Sequence, residues 1–326
     1  MNWRGTQVDS KEKYRVLCEQ ECSIPLFSQA WWLDATAGIG HWDLALVENA
    51  GVIVAALPYV IRKRYGFSML TQPALTQTLG PWLRESEGKL STKLAQQKEC
   101  MEALIERLPA FDHYSQNWSW VNRNWLPFYW KNFKQTTRYT YILNDLTDEN
   151  IIWKNLQANI RREIKKAGDR FGLKIRRDLG IDDFLPLNEL TFSRQGMDLP
   201  YSKDFVKNLD RACVARGSRA IFIAEDGDGK RHAGVYIVWD RNSAYYLMGG
   251  GDPALRNSGA TSLCMWEAIK FAATVTRRFD FEGSMIEPVE KFFRGFGAEQ
   301  TPYFSVTKTP SRLLRTAFFF RDLRGK

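Results

Sequence analysis

Two stretches of the chain share one pattern of hydrophobic and polar positions. Each contains two apolar runs of strand length joined by a short polar turn, in residues 42–61 and again in residues 220–239. Such pairs of apolar runs are typical of β-hairpins. A third run, rich in aromatic residues, follows each pair at residues 65–70 and 243–248, and a glycine-containing loop comes after it. This repeated order predicts a duplicated α/β unit.

Apolar residues recur at helical spacing between these strands. The pattern predicts helices over residues 91–107, 148–172, 261–275 and 286–296. The helix over residues 261–275 is apolar around most of its circumference, so we expect it to be buried. In the second half of the chain, strands are expected near residues 220–225, 232–240, 243–249, 278–283 and 300–307.

The chain of 326 residues is long enough for two lobes. We place their boundary near residue 147, where a strand-like run gives way to a long basic helix. Residues 1–147 then form an N-terminal lobe and residues 148–326 a C-terminal lobe that carries the main site. Hydrophobic residues make up 44% of the sequence and charged residues 25%, values that are typical of globular proteins. The predicted fold class is α/β (α+β mixed sheets).

Composition narrows the functional classes. The five cysteines are scattered and no histidine cluster accompanies them, so we predict reduced thiols and no metal site. The sequence shows no secretory signal pattern and no apolar run of membrane-spanning length, so we expect a cytoplasmic protein. The net charge of +9 favours anionic partners, namely phosphate-bearing substrates, tRNA or the anionic inner face of a membrane.

The stretch FDFEGSMIEPVEKFFRGFGAEQTPYF, residues 279–304, resembles the closing strand–helix–strand of Fem-type transferases, which typically reads FDFGG…FKxxFG. Residues 245–269 resemble that family's preceding strand, loop and helix, and residues 159–175 resemble the segment that opens its second lobe. The first half resembles uncharacterised relatives through IPLFSQAWWLDA and LTQTLGPWL. The resemblance covers most of the chain and is most specific in the C-terminal half.

Fem-type proteins are N-acyltransferases of the GNAT superfamily, so the resemblance implies two tandem GNAT-like lobes. It also implies transfer of an amino acid from aminoacyl-tRNA to an amine of a peptidoglycan precursor. Broader relatives acylate amino sugars or use other activated donors such as acyl-CoA, and no tightly bound cofactor is expected. The sequence departs from the family at Phe293, which occupies the place of the lysine in FK, and it lacks the coiled-coil arm that some members use with tRNA.

Amide formation needs a deprotonated amine, a polarised acyl carbonyl and contact between the two, but no covalent intermediate. In the strand that begins at Phe279, alternation places Asp280, Glu282 and Ser284 on one side. They lie near the C-terminal end of the strand, where open α/β sheets hold their sites. We predict that Glu282 orients or deprotonates the amine and that Tyr246 is a second catalytic residue that contacts the acceptor. A structural role is the alternative for Asp280.

Two polar loops are predicted to bind phosphate or sugar. Residues 249–251 are glycines that precede a loop with Arg256, and in GNAT enzymes this loop presents backbone N–H groups to a cofactor pyrophosphate. The loop over residues 192–202 carries Arg194 and Tyr201; an ordinary surface loop is the alternative. The other predicted substrate-binding residues are Asp280, Ser284, Arg294, Gln77 and Trp82, the last two as a wall from the first lobe.

The sequence therefore predicts an N-acyltransferase acting on a cell-envelope glycan or peptidoglycan-type precursor. One alternative keeps the fold but uses an acyl-CoA or carrier-protein thioester to acylate an amino sugar. Another alternative is a basic tRNA- or membrane-associated binding protein with a decayed active site. The replacement of the family lysine by Phe293 supports this alternative.

Two basic segments have alternative interpretations. The run over residues 161–166 is typical of a solvated helix face, and a nucleic-acid surface is the alternative. Residues 311–326 interleave arginine with leucine and phenylalanine. This pattern indicates either a final helix docked on the core or a helix in peripheral contact with an anionic membrane.

Overall fold

A computed structural model describes residues 9–194 and 196–324. Helices accompany mixed β-sheets, which confirms the predicted α/β class. The chain forms two compact units: unit 1 contains Met1–Arg138 and Pro302–Lys326, and unit 2 contains Tyr139–Thr301. Within the described ranges, no helix is both long enough and apolar enough to cross a membrane.

The elements of the first half are, in chain order, α1 (Ser10–Gln20), α2 (Ala30–Ala37), β1 (Trp42–Asn49), β2 (Val52–Arg64), β3 (Phe67–Thr71), β4 (Trp82–Leu83), α3 (Leu90–Glu106), β5 (His113–Asn117), α4 (Leu126–Trp130) and β6 (Lys134–Leu143). Those of the second half are α5 (Glu149–Asn155), α6 (Ala158–Asp169), β7 (Lys174–Arg176), α7 (Ile181–Ser193), α8 (Lys203–Ala215), β8 (Arg219–Glu225), β9 (Arg231–Trp239), β10 (Ala244–Gly251), α9 (Ala260–Ala272), β11 (Phe279–Asp280), α10 (Glu287–Arg294), β12 (Glu299–Lys308) and α11 (Arg312–Arg324).

The same order of strands occurs twice. In unit 1, β1, β2 and β3 form an antiparallel meander, and α3 then leads to β5, which runs parallel to β3. In unit 2, β8, β9 and β10 form the second meander, and α9 leads to β11, which runs parallel to β10. The repeated order predicted from the hydrophobic pattern is therefore present in the structure.

The first hairpin shows why its sequence turns where it does. Asn49 pairs with Val52, so only Ala50 and Gly51 connect the two strands. Both have positive φ, 48° and 80°, as a two-residue turn that matches the twist of the strands requires. Glycine adopts this conformation without strain, which explains its place at the tip.

The limits of the units differ from the predicted boundary at residue 147. Ser305–Lys308 in β12 pair with Tyr114–Asn117 in β5, so the end of the chain belongs to unit 1 and not to the second lobe. Phe279–Asp280 in β11 pair with Ile142–Leu143 in β6, so unit 2 already begins at Tyr139. Each unit thus takes its closing strand from the other half of the sequence.

The prediction of one helix over residues 148–172 is wrong, because the structure has α5 and α6 in its place. Leu156, between them, is buried with an extended ψ of 138°. The guanidinium of Arg161 donates to the carbonyl oxygens of Trp153, Lys154 and Leu156, which are left without helical partners at the end of α5. Arg161, which belongs to the basic run over residues 161–166, therefore caps the C-terminal end of α5.

Helix α9 is buried, as predicted from its apolar circumference. Cys264, Met265, Ala268 and Ile269 have almost no exposed surface and belong to the main hydrophobic core of unit 2. That core also contains residues from the inner strands β8 and β9, including Phe222. The described residues of unit 1 form hydrophobic clusters of their own.

Candidate active site

The site predicted in unit 2 lies where two parallel strands end. β10 and β11 pair over only two positions, Ala244 with Phe279 and Tyr245 with Asp280. β11 then ends, whereas β10 continues to Gly251 with an irregularity in its pairing to β9 between Tyr246 and Met248. The carboxyl ends of the two strands therefore carry side chains beyond their last shared pair, the position where α/β sheets bind ligands.

Asp280 holds the backbone that follows β11. Its side chain is 5% exposed and accepts hydrogen bonds from the Thr140 hydroxyl and, at 2.8 Å, from the backbone N–H of Glu282. Glu282 has φ 58°, in the left-handed region that residues other than glycine rarely adopt. The carboxylate of Asp280 thus stabilises the turn that presents Glu282.

The predicted strand over residues 278–283 is shorter than expected. Since β11 ends at Asp280 and Glu282 is in a left-handed turn, strand alternation does not explain why the two carboxyl groups are neighbours. Asp280 instead brings Glu282 close through the hydrogen bond to its N–H group. The two acids predicted for the site do lie together, for this different reason.

Glu282 is a buried acid beside a second acid. Glu282 is only 9% exposed. Burial, followed by the negative charge of Asp280, raises the pKa of Glu282 well above its ordinary value of 4.5. A carboxylate whose pKa is raised is a stronger base than an exposed one, which suits a general base for an amine.

Tyr245, and not Tyr246, shares the face of the sheet with the acids. Tyr245 is the direct register partner of Asp280, and paired residues of neighbouring strands project to the same face. Its pKa is raised well above 10.0 by burial, then by the charges of Asp240, Asp280 and Glu282. The sequence prediction missed Tyr245, because only the strand register distinguishes it from its neighbour.

Tyr246 lies on the other face, in an aromatic and polar cluster. Its ring packs edge-on against Phe293, with 5.6 Å between centroids. A Cβ added to Gly249 would lie 1.8 Å from its hydroxyl oxygen, so this glycine makes room for the tyrosine. Burial, then Cys264 and Tyr201, raises the pKa of Tyr246, which keeps its hydroxyl protonated.

Tyr201 joins the cluster around Tyr246 from the loop between α7 and α8. Its hydroxyl donates to Asn188 Oδ1 at 3.1 Å, and Asn188 Nδ2 donates to the carbonyl oxygen of Gly249 at 2.8 Å. Burial raises the pKa of Tyr201 to about 12. The predicted residues Tyr201 and Tyr246 are therefore brought together.

Phe293 is a packing residue. It is 4% exposed and contacts Tyr246 and Phe281, the latter with 5.3 Å between ring centroids. Arg294, which follows it on α10, donates to Glu290 Oε1 at 2.9 Å, and the same carboxylate accepts from the Tyr141 hydroxyl. The position of the family lysine thus holds an aromatic ring, and Arg294 is engaged in an ion pair.

The arginines predicted to bind phosphate are exposed. Arg256 lies in the 3₁₀ turn Pro253–Ser258, and Arg194 follows α7. Neither side chain forms an ion pair or hydrogen bond with another residue of the described chain. Gly259, between this turn and α9, has φ 79°, and a Cβ there would lie 2.2 Å from the carbonyl oxygen of Glu163. The loop is therefore pressed against α6.

Three further predicted residues have structural partners. The Ser284 hydroxyl accepts from the N–H of Ile286 at 3.0 Å in the turn before α10. In unit 1, Gln77 Nε2 lies 3.5 Å from the Tyr303 hydroxyl. Trp82 is 5% exposed in a hydrophobic cluster of unit 1, and its indole N–H donates to the Ser23 hydroxyl. This burial of Trp82 is at odds with a role in a ligand-facing wall.

The corresponding strand ends in unit 1 are bridged internally. β3 and β5 also pair over two positions, after which Gln72 accepts from the N–H of Asn117 at 2.6 Å and donates to the carbonyl oxygen of Thr76 at 2.6 Å. In unit 1, the neutral side chain of Gln72 thus bridges the strand ends. The corresponding strand ends of unit 2 carry the acids Asp280 and Glu282. The acid chemistry predicted from the sequence is a feature of unit 2.

No set of three or more histidine, cysteine, aspartate or glutamate side chains in the described chain is arranged to hold a metal ion. Residues 154–293 match the family model described as an acetyltransferase (GNAT) domain. This match lies within unit 2 and includes Tyr246, Asp280 and Glu282. A search of curated protein sequences finds no match to the chain.

Solved structures share the fold over almost the whole chain. FemX matches with a TM-score of 0.66 at 11% identity, over 91% of this chain and 96% of that one. The C-terminal domain of a proposed lysylphosphatidylglycerol synthetase from Agrobacterium fabrum matches with a TM-score of 0.52 at 14% identity, over 92% and 91%. L-PGS from Bacillus licheniformis matches with a TM-score of 0.52 at 11% identity, over 97% of both chains.

Proposed function

We propose that this chain, whose residues 154–293 match the model of an acetyltransferase (GNAT) domain, transfers an aminoacyl or acyl group to an amine of a cell-envelope precursor. The observation that carries the proposal is the pair of buried acids, Asp280 and Glu282, at the end of β11. The fold shared with FemX and with L-PGS supports the same class of reaction.

The reaction joins an amine to an activated acyl carbon. The amine nitrogen, once it has lost a proton, attacks the carbonyl of an ester or thioester and forms a C–N bond. The C–O or C–S bond of the donor then breaks, and the leaving oxygen or sulfur takes up a proton. Glu282 accepts the proton from the amine, because its raised pKa makes its carboxylate a stronger base than an exposed glutamate.

Other residues of the site bind and position. Asp280 keeps Glu282 in its turn, and its negative charge raises the pKa of Glu282 and so strengthens the carboxylate as a base. The protonated hydroxyl of Tyr246 supplies a hydrogen-bond donor close to the glycine-rich end of β10, on the opposite face of the strand from the acids. Exposed Arg256 is suited to phosphate groups of the donor or the acceptor through its forked guanidinium.

Two classes of donor fit this proposal. Aminoacyl-tRNA and acyl-CoA both carry phosphates and an activated carbonyl, which the basic net charge of +9 favours. The basic run of α6 gives limited support to tRNA, since Arg161 caps α5 and Lys166 pairs with Glu163 at 2.5 Å. The acceptor is proposed to be a phosphate-bearing glycan or peptide precursor with a primary amine.

The proposal is tested by product formation. The purified protein is incubated with aminoacyl-tRNA or with acetyl-CoA, and in each case with UDP-linked peptidoglycan precursor or with a UDP-amino sugar. Mass spectrometry detects the acceptor with one added acyl group. Glu282→Gln should lower the rate by about a hundredfold or more, the usual contribution of a general base, while raising the pH restores part of the rate.

Glu267→Gln is the matched control, because Glu267 is a partly exposed acid on α9 that pairs with Lys270. It should retain the wild-type rate. Equal rates for Glu282→Gln and the wild type would remove Glu282 from catalysis. No product with any donor, together with tight binding of tRNA alone, would favour the binding protein with a decayed site.

A further inference from the structure

The last helix, α11, carries apolar residues on two opposite faces. Leu314 and Phe318 are half-buried, and the Phe318 ring packs edge-on against His113 with 5.0 Å between centroids. The helical repeat of 100° per residue places the other apolar side chains on the far side. These outward residues and their exposed fractions are Leu313 at 74%, Phe319 at 61%, Phe320 at 56% and Leu323 at 57%.

Basic side chains flank this outward apolar face. Arg312 and Arg315 are exposed, and neither forms an ion pair with a described residue. Arg321 lies over the Phe318 ring at 4.9 Å. The side chain of Arg324, also expected to be part of this basic set, is outside the described part of the structure. Exposed phenylalanine and leucine side chains beside arginines suit the interface of an anionic bilayer.

A second basic segment adjoins the start of α11 in the same unit. The end of β2 and the following turn expose Arg62, Lys63 and Arg64, and Tyr65 is 85% exposed with the Arg64 guanidinium over its ring at 5.1 Å. Among the described residues, the three cations have no ion-pair partner. The tip of the β2–β3 hairpin therefore also combines exposed basic residues with an exposed aromatic ring.

Asp112 connects the two segments. It exchanges hydrogen bonds with Ser68, the register partner of Lys63: Ser68 N–H donates to its carboxylate at 2.9 Å, and its own N–H donates to the Ser68 carbonyl at 2.8 Å. The Asp112 carbonyl also accepts from the N–H of Ser311 at 3.5 Å, directly before α11. The hairpin tip and the first turn of α11 are therefore neighbours.

We propose that residues 62–65 and the outward face of α11 form one surface, the basic aromatic surface, that binds an anionic lipid bilayer. The phenylalanine and leucine side chains insert between head groups, while the arginines and the lysine contact lipid phosphates. Exposed leucines favour a bilayer over RNA, because RNA stacks on aromatic rings and gains little from aliphatic side chains. Concentrated positive charge disfavours a second copy of the same surface.

Sedimentation with vesicles tests this proposal on the full-length protein. The protein should bind vesicles of phosphatidylcholine mixed with phosphatidylglycerol, bind vesicles of pure phosphatidylcholine weakly, and be released from the mixed vesicles as salt rises. The double variant Phe319→Ser, Phe320→Ser should lose about tenfold or more in vesicle affinity, since two inserted aromatic rings are removed. Arg312→Gln with Arg315→Gln should lose affinity only for the anionic vesicles.

Tyr129→Ser is the matched control, because Tyr129 is an aromatic residue of the same unit that is 57% exposed and lies on α4. It should bind vesicles as the wild type does. The proposal is overturned if the phenylalanine variant binds anionic vesicles normally. Binding of RNA without binding of vesicles overturns it, as does a dimer in solution that the phenylalanine variant dissociates. Vesicle binding does not require acyl transfer, so this result is independent of the proposed reaction.

Discussion

Glu282 combines three properties that a purely structural residue has no need of. It is a buried acid, it lies beside a second acid, and its backbone is in the left-handed region. Each of these raises the free energy of the folded state, and backbone strain of this kind is concentrated in functional sites. Asp280 offsets part of the strain by accepting the hydrogen bond from Glu282 N–H.

Stability against pH reports this unfavourable environment directly. The folded-state pKa of Glu282 is raised above 4.5, so the folded protein binds its proton more tightly than the unfolded chain does. The stability that Glu282 contributes is therefore fully present below pH 4.5 and is lost as the pH rises through its folded-state pKa. Glu282→Gln should remove this loss, by about 1.4 kcal/mol for each unit of the shift. Urea unfolding over a series of pH values measures it.

Glu290→Gln provides the comparison of opposite sign. The pKa of Glu290 is lowered, chiefly by the hydrogen bond from Tyr141, so its carboxylate stabilises the fold above pH 4.5. At neutral pH, Glu290→Gln should therefore lower the free energy of unfolding, whereas Glu282→Gln should raise it. A parallel pH dependence for wild type and Glu282→Gln would show that the buried acid does not titrate as proposed.

Residue identity alone locates the acids but not their neighbours. The FDFEG stretch predicts Asp280 and Glu282 as site residues, and the two acids lie together because the chain turns sharply after β11. The sequence does not reveal which of two adjacent tyrosines faces them, because that depends on the register of β10 with β11. Tyr245 pairs with Asp280, and the predicted residue Tyr246 therefore lies on the opposite face.

At the scale of elements, hydrophobic periodicity predicts α3, α9 and α10 and the strands of both meanders within a few residues. It fails between α5 and α6, where a hydrogen-bonding side chain decides the outcome: Arg161 satisfies the carbonyl groups of α5 and permits the helix to end. It also makes β11 too long, because the left-handed turn at Glu282 depends on Asp280 and on close contact with the neighbouring strand. Such tertiary contacts leave no periodic signal in sequence.

The turn after β11 depends on Gly283. It has φ 65°, and a Cβ at this position would lie 2.1 Å from the carbonyl oxygen of Tyr139 on β6. Gly283→Ala should therefore lower the free energy of unfolding by about 3 kcal/mol or more, from left-handed strain and from the forced shift of backbone. Thermal and urea unfolding measure the change.

Gly172→Ala separates the two contributions. Gly172 has a similar φ of 59°, but a Cβ there would meet nothing within 4 Å. This variant should lose only about 1–2 kcal/mol, the cost of the left-handed conformation for alanine. Equal losses in the two variants would mean that the approach of Tyr139 does not constrain the turn.

At the scale of the whole molecule, the closing strands decide where each unit begins and ends. The pattern of hairpins and helices in the sequence predicts the two repeats. It assigns the last strand, β12, to the second lobe, because β12 lies in the second half of the sequence. In the structure, β12 pairs with β5, and β11 pairs with β6. The choice of partner depends on the backbone groups that the edge of each sheet leaves open, a property of the assembled sheet that the local sequence does not carry.

Truncation of the chain tests the part that β12 takes in unit 1. A protein ending at residue 301 lacks the strand that pairs with Tyr114–Asn117, the carbonyl of Phe304 that accepts from Trp118 N–H, and the fully buried side chain of Val306. The loss should unfold unit 1, because β5 then has an open edge and its hydrophobic cluster an open side. Hydrogen exchange should become fast at Tyr114–Asn117.

A protein ending at residue 310 keeps β12 and lacks only α11, so its exchange at these amides should remain slow. Slow exchange in both truncated proteins would contradict the proposed dependence, and would mean that β5 is held by β3 and its cluster without β12.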